Sequence, residues 1–191
     1  MTGRTHDLAA FSAITYIVAT TPLIHMSLAT GLCAFTANLI GGLTPDIDQP
    51  TADLWHKLPG GTFYSRFVTP FMGGHRFISH SIVGIVLFGF IARFILQLMS
   101  HSLLVNMDIV WWSFMIGYIS HLVMDTFTRE GVPWFFPIPL KLGIPPVSFL
   151  RIKTGGIIEK YIIFPGIILF TGFVIYSKYG HLLLFVHSFM R

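Results

Sequence analysis

Residues 78–99 read ISHSIVGIVLFGFIARFILQLM, and Arg93 is their only Lys, Arg, Asp or Glu. A mainly apolar run of roughly 17–25 residues is what a helix needs to cross the hydrocarbon core of a bilayer. Stretches of the same character lie at about 8–23, 27–43, 109–126 and 161–176, the last with an apolar tail after Gly180. In lipid every backbone polar group must be satisfied within the protein, which leaves helices as the natural spanning element for such runs. Over 191 residues the chain is 53% hydrophobic and 10% charged, too little polar surface for a water-soluble domain. Its 19 Phe exclude a disordered chain. The sequence therefore predicts an all-α, polytopic membrane protein of about five helices, built as one membrane-embedded domain over 1–191. The first two helices are short enough to form a hairpin that does not fully cross. Arg4 before an apolar stretch resembles a signal peptide, but Asp7 and the absence of an A-x-A site favour an uncleaved first helix.

Two long segments, 45–77 and 128–160, separate the runs and are rich in Pro, Gly and aromatics, which predicts ordered loops near the lipid headgroups. Nine Lys/Arg fall in these loops or at Arg4, and two (Lys178 and Arg191) fall on the opposite side. Arg93 lies inside its run near the far end, where its side chain can snorkel. This asymmetry predicts that the N-terminus and both loops face the cytoplasm and the C-terminus faces out. One cysteine, Cys33, allows no disulfide framework. No basic run marks a nucleic-acid tail, so no direct nucleic-acid binding is expected.

The same partition sorts the ionisable residues. Seven of the eight acids (all but Asp108) fall at the loop-bearing face, together with His6, His56, His75, His80 and His121. Four clusters carry the signal. Thr5-His6 precedes the first helix. Gly41 to Asp48 (GGLTPDID) ends the second, and an extended turn there would put Asp46 and Asp48 on one side beside an already negative helix C-terminus. Gly73 to Ser81 (GGHRFISHS) leads into the third, where free helix N–H groups and Arg76 together would suit an anion. Gly117 to Thr126 (GYISHLVMDT) closes the fourth, with His121 and Asp125 one turn apart on the same face. Polar groups within such helices are costly and usually functional.

Mixed imidazole and carboxylate donors suit a divalent transition metal, zinc, manganese or iron. The predicted ligands are His6, Asp46, Asp48, His75, His80, His121 and Asp125, enough for two ions. Arg76 and Glu159 are the candidate catalytic residues, Arg76 for a substrate phosphate and Glu159 as a further ligand or a group supporting the ligands. No G-x-S-x-G and no P-loop is present, so metal-assisted hydrolysis is the natural reaction class.

In their order these blocks (Thr5-His6, Pro45-Asp46-Ile47-Asp48, His75-Arg76 with Ser79-His80-Ser81, Gly117-Tyr118 through His121 to Asp125, Gly131-Val132-Pro133, Pro137, and Thr154-Gly155 leading to Glu159) resemble a bacterial family. Its members are described as YdjM-type, LexA-binding, inner-membrane metal-dependent hydrolases. They usually carry Gly where this chain has Phe77 and Thr where it has Ser79. The resemblance covers 5–160 and implies an all-helical inner-membrane protein with a metal site and a hydrolase assignment. The H-x-x-x-D of the fourth helix is also similar to the helical, zinc-dependent phospholipase C group, which implies a phosphoester. At a cytoplasmic lipid interface the expected substrate is a phospholipid or lipid phosphate. The alternatives are a proton- or metal-coupled transporter, which would want polar residues nearer mid-bilayer, and a non-catalytic membrane regulator.

Overall fold

A computed structural model describes residues 1–21, 26–52, 55, 59, 61–71, 76–100, 102–138 and 140–188. The described helices are α1 (Gly3–Thr20), α2 (Leu28–Leu43), α3 (Gly61–Phe71), α4 (Ile82–Met99), α5 (Met107–Thr126), α6 (Phe164–Ser177) and α7 (Tyr179–Ser188). A 3-10 turn, Thr44–Asp48, prolongs α2, and a π turn, Glu159–Ile163, leads into α6. Among the described residues there is no strand, only two isolated bridges in the loop after α5, Thr128 with Ile152 and Val132 with Leu142.

Among the described residues, four helical segments are long and apolar enough to cross a membrane: Leu28–Asp48, Ile82–Met99, Met107–Thr126 and Glu159–Ser177. The expected first span corresponds to α1, which is not among them. It starts at Gly3, five residues earlier than the apolar run, and Arg4, His6, Asp7 and the hydroxyls of Thr5, Ser12, Thr15, Tyr16 and Thr20 lower its hydropathy. It still packs along α2, α5 and α6 as part of the bundle.

The burial pattern inverts that of a water-soluble protein. Along α4, Val86, Phe90 and Phe94 are 65%, 75% and 58% exposed, while His6, Asp48, His80, His121, Asp125 and Glu159 are each at most 1% exposed. Apolar side chains turned outward and ionisable ones turned inward fit a lipid environment. A smaller apolar core of Phe88, Phe114, Met115, Tyr118, Leu122 and Val132 joins α4, α5 and the loop after α5.

The contact that positions the site is the crossing of α2 and α5. A Cβ on Gly41 would lie 2.0 Å from the Phe114 carbonyl oxygen, and one on Gly117 would lie 2.0 Å from that of Asn38. Only glycine lets the two backbones touch on both sides, as in membrane helix pairs packed on small residues. Asn38 Nδ2 donates to the Ser113 carbonyl at 3.1 Å within the same crossing.

Neither long segment is a plain loop. Within 45–77, α3 is amphipathic and exposes Phe63, Tyr64 and Phe67, a pattern suited to an interface. Within 128–160, Val132 and Leu142 exchange backbone bonds, Arg129 N donates to Ile152 O, and the buried Arg151 donates to the carbonyls of Pro145 and Pro146. Ile82 N donates to Trp134 O, tying this segment to the start of α4. The ends of the four apolar segments at Asp48, Ile82, Thr126 and Glu159 meet the N-terminal turn of α1 at one end of the bundle. The described parts of 45–77 and 128–160 thus share that end. Arg93 and Asp108 pair at the other, with the guanidinium over Trp111.

Candidate metal centre

Two groups of potential ligands assemble at this end: His6, His121 and Asp125, and Asp46, His80 and His121, the donor atoms of each group lying within 4.8 Å of one another. His121 belongs to both. It stands one turn before Asp125 on α5, so both side chains project from one helix face toward α1 and the end of α2. Its Nε2 is 3.5 Å from Asp46 Oδ1 and 3.8 Å from Asp125 Oδ2, too far for good hydrogen bonds.

The ring orientation of His121 is fixed from behind. Its Nδ1 lies 2.7 Å from the Gly42 carbonyl oxygen, which is an acceptor only, so Nδ1 is assigned the proton. Nε2 then offers its lone pair, buried and with no hydrogen-bond partner among the described residues. A histidine that donates one ring N–H to a carbonyl and leaves the other nitrogen bare has the arrangement of a metal ligand. The donor set and this orphaned nitrogen both fit a divalent transition metal.

His80 is held between two acids. Its Nδ1 is 3.4 Å from Asp48 Oδ2 and its Nε2 is 3.7 Å from Asp46 Oδ1. Burial pushes its imidazole below the ordinary histidine value, which favours the neutral, ligating form. The sequence reading of an extended turn at 45–48 is corrected here. Pro45 occupies the first turn of a 3-10 helix that continues α2, so the two acids diverge instead of sharing a side. Asp46 turns to His80 and His121, whereas Asp48 accepts from the backbone N–H of Arg76 at 2.8 Å and from Ser79 Oγ at 2.6 Å. Asp48 thus lies behind His80 and orients it.

Arg76 adopts a left-handed backbone conformation, φ 59°, which that bond to Asp48 helps to hold. Its guanidinium is buried and engaged: Nη2 pairs with Asp125 Oδ2 at 2.6 Å, and Nη1 donates to Thr128 Oγ1 at 2.8 Å and to Gly131 O at 3.3 Å. The predicted anion site at the start of α4 is also filled from within. Ser81 caps the helix by accepting from Gly84 N, and Ile82 N is bonded to Trp134.

Glu159 lies outside both ligand groups. Its carboxylate accepts from Thr2 N, Thr2 Oγ1, Thr5 Oγ1 and Gly155 N, clamping the first turn of α1 and so the placement of His6. Asp125 is also paired with the Met1 ammonium and, at 3.2 Å, with His6 Nε2. Of the sequence-predicted site residues, the structure brings together His6, Asp46, Asp48, Arg76, His80, His121 and Asp125. His75 lies outside the described residues. Sequence reasoning missed Thr128 and the Gly42 carbonyl. The Gly42 contact is made by backbone, for which a side-chain pattern gives no signal.

Fold and site define a polytopic helical membrane protein with a buried His–Asp cluster at one end of its bundle. The sequence profile of the YdjM inner membrane protein family matches residues 1–189, and the chain belongs to that family. It is 26% identical to the uncharacterized protein YvsG of Bacillus subtilis over 166 residues, covering 85% of this chain and 88% of that one. It is 28% identical over 120 residues to the inner membrane protein YdjM of Escherichia coli and of Shigella flexneri, covering 63% of this chain and 56% of each relative. No solved structure matches.

Proposed function

We propose that the protein is a metal-dependent hydrolase of phosphoesters, acting on a phospholipid or lipid phosphate at the cytoplasmic face of the membrane. The observation that carries this reading is His121: it is shared by both ligand groups, oriented by Gly42, and aims a bare buried nitrogen at Asp46 and Asp125. His6, Asp46, His80, His121 and Asp125 would hold zinc or manganese, as one ion or two. Bound there, the metal supplies an activated water and charge stabilisation on the phosphoryl oxygens.

The chain's own groups do the rest. Asp48 and Ser79 fix the ring of His80. Arg76 is assigned to holding Asp125 in place, ahead of any grip on phosphate, because its Nη atoms are already bonded. Glu159 fixes α1 and hence His6. The site opens into a polar pocket of about 220 Å³ lined by Gly3, His6, Asp46, Thr51 and Thr154, wide enough to admit a phosphate group. The nine-to-two basic asymmetry supports a cytoplasmic location.

The test is phosphate release from phosphatidate, lipid diphosphates and phosphodiesters by the zinc- or manganese-loaded protein in nanodiscs. Metal-dependent turnover that disappears in Asp125→Asn supports the proposal. Metal-loaded protein inert toward the whole series overturns it.

A further inference from the structure

A cavity of about 940 Å³ lies between α1, α5 and α6, with Ala9 and Ile17, Ile116 and Val123, and Ile163 and Phe170 among its walls. Three observations say what fits it. First, its helices belong to a bundle whose outward face is apolar, so the surrounding medium is acyl chain and not water. Second, it adjoins the polar pocket of the His–Asp cluster, with Met1 as the wall the two share. Third, its far limits lie one leaflet's depth from the His–Asp cluster. Its far limits are Ile17, Ile116 and Phe170. Counted from His6, Asp125 and Glu159 at the cluster end, these lie about 16, 14 and 16 Å along the helices at ~1.5 Å per residue. Half of a ~30 Å hydrocarbon core is the same distance.

We propose that this groove seats the acyl chain of a single-leaflet lipid whose phosphate-bearing headgroup occupies the polar pocket at His6 and Asp46. The proposal rests on the phosphoester reading for the identity of the headgroup, and on the groove alone for the chain. A chain drawn sideways from the leaflet would keep its tail in an apolar environment while the headgroup reaches the buried cluster, so the substrate need not leave the membrane.

Gly166 supplies the test. It lines the groove, and a Cβ there meets nothing within 4 Å, so Gly166→Phe can fill the space without displacing backbone. Gly172, on the same helix, is equally open and does not line the groove, which makes Gly172→Phe the matched control. The probe is phosphatidate carrying a diazirine near the middle of one acyl chain, in phosphatidylcholine nanodiscs, with crosslinks mapped by mass spectrometry. The expected result is labelling concentrated on the groove residues of α1, α5 and α6, lost in Gly166→Phe and retained in Gly172→Phe. Labelling no stronger in the groove than at Val86 and Phe90 of α4, or unchanged in Gly166→Phe, overturns the proposal. Crosslinking needs no turnover. Groove labelling in a protein that binds no metal and hydrolyses nothing would sink the hydrolase reading and leave the acyl-chain site standing.

Discussion

The imidazoles of His6 and His121 stack face to face, centroids 3.6 Å apart and planes within 8°. One ring comes from the first turn of α1 and the other from the last turns of α5. Their contact brings the Nε2 edges of both to Asp125, His6 at 3.2 Å and His121 at 3.8 Å. The stack is therefore the joint between α1 and α5, and it aligns two of the potential ligands in one of the two groups.

Arg76→Ala leaves Asp125 without its guanidinium partner. Removing one member of a buried ion pair costs about 3–5 kcal/mol. The variant is expected to melt well below wild type in metal-free buffer and to recover part of the loss when zinc or manganese is added, because a cation on Asp125 replaces the lost charge. Arg76→Lys should fall between the two, since an ammonium cannot reach Asp125, Thr128 and Gly131 together. Melting curves with and without metal decide this. No recovery on metal addition would mean that Asp125 does not bind the ion.

Asp48→Asn and Ser79→Ala act behind the ligands. Both are expected to lower metal affinity by about 10–100-fold while leaving the site able to fill at saturating metal. Competition titration with a chelator of known affinity measures it. Unchanged affinity in both variants would show that the orientation of His80 does not matter to binding.

Gly117→Ala places a methyl group against the Asn38 carbonyl of α2. Overpacking of this kind costs about 1–3 kcal/mol or more. Because α2 also carries the Gly42 carbonyl behind His121 and leads directly to Asp46, metal affinity should fall along with stability. Gly172→Ala, in open space, should do neither. Thermal melts and metal titration of the pair give the comparison.

Glu159→Gln weakens the clamp on α1. Bonds to a charged acceptor are worth about 1.5–3 kcal/mol each, and the neutral amide keeps only part of that. The expected signature is local, with faster amide exchange over residues 3–8 and lower metal affinity through His6. Exchange unchanged at the start of α1 would show that Glu159 does not hold it.

Much of this arrangement was legible in the sequence because hydropathy and ionisable residues are so sharply separated along the chain. Apolar runs located α2, α4, α5 and α6, and the i,i+4 spacing of His121 and Asp125 put both on one helix face. The structure adds what spacing cannot carry. The start of α1 looked apolar only from Leu8 onward, yet the helix begins at Gly3 because Glu159, far away in sequence, satisfies the amide and hydroxyls of its first turn. Asp46 and Asp48 read as a matched pair, but a 3-10 turn rotates them apart. Arg76 read as free for an anion because nothing nearby in sequence foretold that Asp125, Thr128 and Gly131 converge on it. The differences at α1 and Arg76 come from contacts between residues far apart in the chain, which local patterns do not encode, and the one at Asp46 and Asp48 from the choice between two local turn geometries.

The central claim, that this end of the bundle is a metal site built around His121, is tested most directly by the metal content of the purified protein. Wild type, His121→Ala and His187→Ala are to be compared by elemental analysis after dialysis against zinc or manganese. His187 sits exposed on α7, its Nδ1 2.9 Å from the Leu183 carbonyl oxygen of its own helix, and serves as the control. The account predicts stoichiometric metal in wild type and His187→Ala, and none above background in His121→Ala. Metal retained in full by His121→Ala, or absent from wild type, would contradict it.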